Sequence, residues 1–163
     1  PTSGKIIFNN VNFSEISEEK KTQIRKKEIG LIFQQFYLIP NYTALENVMF
    51  PMQINQIKDE RNKAIKILSD IGLDHRKNNL PSELSGGEQQ RVAIARAISF
   101  NPEIILADEP TGNLDRKNTE IVSDLLLNYS SKRKISLILV THNMNLAKKC
   151  DRVIKLIDGC IKV

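Results

Sequence analysis

Two acids at the end of an unbroken apolar run are the first candidates for chemistry in this chain. Ile104-Ile105-Leu106-Ala107-Asp108-Glu109-Pro110 reads as a buried strand that delivers Asp108 and then Glu109 to the carboxyl edge of a sheet, where open α/β folds bind ligands. In sites that transfer phosphoryl groups, the first acid of such a pair holds Mg²⁺, commonly through water, and the second polarises the attacking water. Acids at the solvent end of a strand are also common surface residues, so the pair alone does not separate the two readings. A second stretch, Leu84-Ser85-Gly86-Gly87-Glu88-Gln89-Gln90-Arg91, caps a helix with Ser85 and opens it with two glycines. Backbone N–H groups are then bare, and the positive end of the helix dipole faces any nearby anion. A third, Leu137-Ile138-Leu139-Val140-Thr141-His142, brings a histidine to a strand end, and Gln34 follows Ile32-Phe33 in the same way. Each of these two residues alone carries little signal.

The opening Ser3-Gly4-Lys5 imitates the end of a phosphate loop of the form G-x-x-x-x-G-K-[ST]. Lys5 is followed by Ile6 rather than a hydroxyl residue, and the first glycine position falls before residue 1. Pro1-Thr2-Ser3-Gly4 therefore reads as a turn and Lys5-Ile6-Ile7-Phe8 as a strand.

The elements that must position these residues follow from the spacing. Asn9-Asn10 suits a hairpin turn before Val11-Asn12-Phe13, a polar helix covers about residues 18–27, and Ile29-Gly30-Leu31-Ile32-Phe33 is a short strand. Thr43 and Glu46 have capping-box spacing for a helix expected to run until Pro51 intervenes. Asp59 is expected to cap the next helix, with Ala64, Ile65, Leu68 and Ile71 on one face and Gly72 as its stop. Ser85 and Glu88 repeat the capping-box spacing for a helix that Asn101-Pro102 ends. Thereafter strands and helices alternate: strands over residues 104–107 and 137–140, helices over 118–129 and 143–149, and a final strand over 153–157 before an Asp158-Gly159 hairpin turn. Strands apolar throughout imply a parallel sheet covered on both faces.

With 163 residues, 40% of them hydrophobic, the chain can build one domain with its own core. No run approaches the eighteen or so apolar residues of a membrane helix, and no signal segment opens it. A soluble chain facing the cytosol, able to dock on a membrane protein, is the expectation. The net charge of +5 comes with 19 acidic residues interspersed among the basic ones, and no basic cluster with interleaved aromatics marks a nucleic-acid surface. Cys150 and Cys160 lack metal-ligand spacing and read as free thiols.

Taken in this order, the motifs resemble the ATP-binding domain of ABC transporters. Gln34 matches the Q-loop, residues 84–88 the signature motif with Glu88 in place of the commoner glutamine, residues 104–109 the Walker B strand, Asn113-Leu114-Asp115 the D-loop and His142 the switch histidine. Pro110-Thr111-Gly112-Asn113-Leu114-Asp115, Thr43-Ala44-Leu45-Glu46-Asn47-Val48 and Gly72-Leu73-Asp74-His75-Arg76 narrow the likeness to the lipoprotein-releasing ATPases; macrolide-exporter ATPases share the Thr-Gly-Asn-Leu-Asp element. The resemblance implies an α/β fold, that of a P-loop NTPase with a mainly parallel sheet flanked by helices. Residues 1–163 would form one ABC ATPase domain without its Walker A segment, and residues 36–100 a helical subdomain inserted within it.

It further implies the ligands ATP and Mg²⁺, a homodimer of ATPase subunits, integral inner-membrane transporter subunits as partners, no nucleic acid, and a peripheral place on the cytoplasmic face of the inner membrane. By the same resemblance Glu109 is the general base and His142 orients it and holds the γ-phosphate. Gln34 and Asp108 organise Mg²⁺, partly through water. Ser85, Gly86, Gly87 and Glu88 meet the nucleotide of the facing subunit, and Asp115 reports across the interface. Residues 36–39 and 49–52 would line the groove for a membrane-subunit helix, although ordinary core serves equally for any one of them. Without the phosphate loop these residues alone are expected to bind ATP weakly and not to turn it over. A non-catalytic partner subunit and a non-transport ABC protein are the other readings; intact Glu109 and His142 weigh against the first, and the compact stretch between Gln34 and Ser85 against the second.

Overall fold

The computed structural model describes residues 3–162. The expected turn at residues 1–4 lies partly outside them, at Pro1 and Thr2; Gly4 has a φ of 85°. Strands β1 (Ile7–Phe8) and β2 (Val11–Asn12) form an antiparallel hairpin. Its two turn residues, Asn9 and Asn10, both take the left-handed backbone, with φ of 48° and 62°, as a two-residue hairpin turn requires. Helix α1 (Glu18–Glu28) begins at Ser17, whose side chain accepts from the Lys20 N–H. Acids fill its first turn and bases its last, complementing the helix dipole.

Much of the core is supplied by helices α2 (Ala44–Ile54), α3 (Glu60–Asp70) and α4 (Gly86–Ile98). Thr43 and Glu46 make both bonds of the capping box. Helix α2 does not stop at Pro51 but runs through it to Ile54. Proline removes one N–H donor from the ladder, while Ala44, Leu45, Val48, Met49 and Met52 keep one buried face across that point. Asn47, fully buried beside that face, accepts from the Ile39 N–H at 2.8 Å and donates to the Ile39, Tyr42 and Thr43 carbonyls. Asp59 does not cap α3: its backbone is left-handed, and its carboxylate accepts from Asn62 Nδ2 at 2.7 Å instead. Gly72, with φ of 73°, closes the turn after α3.

Strands β3 (Ile29–Ile32), β4 (Ile104–Asp108) and β5 (Ser136–Val140) form the parallel sheet in that order. The register aligns Ile32 with Ala107 and Leu139, and Leu31 with Leu106 and Ile138. One face, carrying Ile32, Ile105 and Ala107, joins the core with α4 and with helix α5 (Arg116–Arg133). Here Gly30 is a packing requirement, because a Cβ on it would lie 2.7 Å from the Ala97 carbonyl oxygen. The other face carries Leu31, Ile138 and Val140. Leu31, Ile138 and Val140 are 40%, 54% and 57% exposed. Helix α6 (Met144–Ala147) and an exposed hairpin of β6 (Lys155–Ile157) and β7 (Cys160–Lys162) complete the described chain.

Candidate nucleotide site

The β4–β5 register sets Asp108 beside Val140, so the two strands release their chains side by side. Glu109 follows at once with a left-handed φ of 43°, uncommon for a residue with a Cβ and frequent where a site stores strain. Its N–H remains in the sheet, donating to the Val140 carbonyl at 2.9 Å, while its carboxylate turns to the segment after β5. Oε1 accepts from the His142 N–H at 2.8 Å and faces His142 Nδ1 at 2.7 Å; Oε2 accepts from the Thr141 hydroxyl at 3.2 Å. A neutral His142 bonded in this way carries its proton on Nδ1 and leaves Nε2 as an acceptor. Thr141 was not foreseen, although its place between β5 and His142 put it there. Asp108 is exposed, and its carboxylate has no hydrogen-bond partner among the described residues.

The signature turn is built as its spacing predicts. Ser85 Oγ accepts from the Glu88 N–H at 3.3 Å, and Glu88 Oε2 accepts from Ser85 N–H and Oγ, each at 2.8 Å. The Arg76 Nε–H donates to the other Glu88 oxygen at 3.2 Å. The Ser85 N–H, the largest cause, holds the Glu88 carboxyl below its ordinary range against burial, the next largest, which pushes it up; the Ser85 hydroxyl and the Arg76 cation add smaller lowering effects. The N–H groups of Gly86 and Gly87 precede the first intrahelical bond, so they are free for an outside acceptor. Around them the packing is close. A Cβ on Gly86 would come into ordinary contact with Phe36 and Leu114, at 3.7 and 3.9 Å, and one on Gly87 would lie 2.2 Å from Asn118 Oδ1.

Gln34 bonds the turn that follows β4. Its Nε2 donates to Asn113 Oδ1 at 3.0 Å, and Asn113 Nδ2 donates back to the Gln34 carbonyl at 3.2 Å. Gly112 permits the approach, since a Cβ there would be 2.9 Å from Gln34 Nε2. Asp115 caps α5, accepting from the Asn118 N–H at 2.8 Å and from Asn118 Nδ2 at 2.6 Å. Those bonds, the backbone one foremost, hold its carboxyl below the ordinary range. Just past Gln34, Arg96 of α4 donates to the Phe36 carbonyl at 3.0 Å and to that of Tyr37; burial lowers the pKa of its guanidinium. Of the expected groove residues, Met49 and Met52 are core, while Tyr37 and Phe50 are exposed.

Phosphate chemistry suits this edge. Free N–H groups at a helix start attract an anion, and Mg²⁺ asks only one or two protein carboxylates because it keeps most of its waters, which the unengaged Asp108 satisfies. Among the described residues no three His, Cys, Asp or Glu side chains cluster to hold a metal without such help. The class is therefore an α/β nucleotide-binding domain.

The sequence profile of the ABC transporter family matches residues 1–112, and the chain belongs to that family. It is 44% identical over 163 residues to the lipoprotein-releasing system ATP-binding protein LolD of Legionella pneumophila strain Lens, covering 99% of this chain and 72% of the relative. It is 41% identical over 164 residues to LolD 1 of Rhodopseudomonas palustris, covering 99% and 73%. Among solved structures, the dimeric ATP-binding cassette MJ0796 bound to ADP and Pi in a post-hydrolysis state superposes with a TM-score of 0.89 at 40% identity, over 100% of this chain and 73% of that one.

Proposed function

We propose that this chain is the ATP-hydrolysing subunit of an ABC transporter that releases lipoproteins from the inner membrane, acting as one of a pair on its cytoplasmic face. The likeness to lipoprotein-releasing ATP-binding proteins over 99% of the chain supports the cargo class, and the dimeric cassettes support the pairing. The observation that carries the chemistry is the 2.7 Å approach of His142 Nδ1 to Glu109 Oε1. Glu109 is the general base that takes the proton of the attacking water. His142, bonded to it through both ring and backbone nitrogen, holds the carboxylate in place and has Nε2 left for a phosphate oxygen.

Asp108 and, once released from Asn113, Gln34 would hold Mg²⁺ through its waters. When bound, Mg²⁺ neutralises charge developing on the phosphates. Ser85, Gly86 and Gly87 would meet the γ-phosphate of the facing subunit; Glu88 keeps Ser85 and the helix start in place, and Asp115 anchors the turn at the subunit boundary. No described helix is long and apolar enough to cross a membrane, so the integral subunits would supply the membrane path. A polypeptide of these 163 residues alone contains no phosphate loop and is expected to bind ATP weakly and not to hydrolyse it.

The test is ATP hydrolysis and lipoprotein release by the transporter reconstituted in proteoliposomes with the Glu109→Gln subunit. Loss of the base should lower hydrolysis by roughly 10²- to 10⁴-fold and stop release, with ATP still bound. Release at the wild-type rate would overturn the reading.

A further inference from the structure

One side chain outside the family motifs joins three of them. Gln90, in the second turn of α4, is fully buried. Its Nε2 donates to the Pro110 carbonyl at 2.7 Å and approaches the Phe33 carbonyl at 3.4 Å. Pro110 directly follows Glu109, and Phe33 directly precedes Gln34. The amide orientation is forced, because exchanging Nε2 and Oε1 would set an oxygen against two carbonyl oxygens. The cost is visible: Gln90 Oε1 is buried without a hydrogen-bond partner, an arrangement that destabilises a fold unless it is kept for another reason. Gln90 lies only two residues from Glu88 on the helix whose start carries Ser85, Gly86 and Gly87.

We propose that Gln90 is a positioning residue for ATP hydrolysis, setting the backbone on either side of the acid Glu109 and the amide Gln34 from the signature helix, so that movement of that helix reaches both. The inference rests on the ATPase reading above. Geometry favours a role beyond packing, because an apolar residue of the same length would fill the space without leaving an orphaned oxygen, whereas only a donor at Nε2 can bind both carbonyls. Catalytic groups displaced by about 1 Å lose on the order of 10²-fold in rate, so the linkage is large enough to matter.

The experiment compares wild type with Gln90→Met, which keeps length without the donor, and Gln90→Glu, in two measurements. The first is amide hydrogen exchange on the chain itself. Uptake in Gln90→Met should rise in segments 33–37 and 109–114 together, while residues 60–70 stay protected. The second is steady-state hydrolysis by the assembled transporter. There kcat should fall about 10- to 100-fold with KM for ATP within about twofold of wild type. In Gln90→Glu the kcat relative to wild type should recover as the pH falls, because a protonated carboxyl regains a donor for Pro110.

Unchanged exchange in either segment would overturn the proposal. So would raised exchange with kcat untouched, which would leave Gln90 a packing residue. A wild-type complex that hydrolyses no ATP would instead overturn the functional reading and with it the hydrolytic role, while exchange would still decide whether the three segments are linked.

Discussion

Around Gly87 and Gly112 neighbouring side chains press in until a single methyl group has no room, whereas at the end of β5 four-fifths of the His142 side chain is open to solvent. Both regions carry motif residues, Gly87 at the start of α4 and His142 just after β5. The first is over-determined. Gln34 and Asn113 bond reciprocally, Asp115 and Asn118 hold the start of α5, Gln90 bonds the Pro110 carbonyl and approaches that of Phe33, and Arg96 bonds those of Phe36 and Tyr37. The second rests on one carboxylate, that of Glu109, and the Thr141-His142 groups that bond it. On the reading proposed above, the parts that would meet a facing subunit are closely packed, and the carboxylate that would take a proton is held by few groups.

The difference can be broken most strongly at Gly87. In Gly87→Ala the new methyl would collide with Asn118 Oδ1 and Cγ, at 2.2 and 2.4 Å, and Asn118 is itself tied to Asp115 at 2.6 Å. Overpacking of this kind costs roughly 1–3 kcal/mol, read as a lower denaturant midpoint. Adding Asn118→Ala removes Oδ1 and Cγ and leaves only Cβ, at 3.0 Å, so the double variant should be more stable than the sum of the single losses allows. Additive losses, or a neutral Gly87→Ala, would mean that the tight packing is not what holds this turn.

Much of this arrangement was legible because it depends on local rules. Thr43 with Glu46 and Ser85 with Glu88 form their capping boxes, and Asp108 and His142 emerge from strands whose parallel register puts them at one edge. What escaped depends on tertiary context. Pro51 failed as a stop because a continuous buried face of α2 outweighs one lost donor. The pairing of the Gln34 amide with Asn113, 79 positions away, is of the same kind. Gln90 left a detectable trace. It falls on the buried stripe of Gly87, Ile94 and Ile98 at helical spacing, and a polar residue on such a stripe asks for a partner.

At the open edge the opposite balance should appear. His142→Ala removes a largely exposed ring, so unfolding free energy should change by no more than about 0.5 kcal/mol. Hydrolysis by the assembled transporter should nevertheless fall by about 10²-fold or more, as expected for loss of a group that holds the base. A variant that lost stability comparable to Gly87→Ala would place His142 among the structural residues and erase the contrast.

The smallest effect sharpens the comparison from within the rigid region. Glu88 has its carboxyl pKa held below the ordinary 4.5, chiefly by the Ser85 N–H. A group with a depressed folded-state pKa contributes stability above its unfolded value, and that contribution is lost as the pH falls through the folded one. Glu88→Gln keeps a carbonyl oxygen to cap Ser85 but forfeits the charge facing Arg76 and the helix start, with Arg76 41% exposed and well screened. The variant should therefore be less stable than wild type by a few tenths to about 1 kcal/mol near neutral pH, and the gap should close as the pH drops below about 4.5. A gap that persisted at low pH would show that the hydrogen-bond geometry of the carboxylate, rather than its charge, holds the signature turn against Arg76.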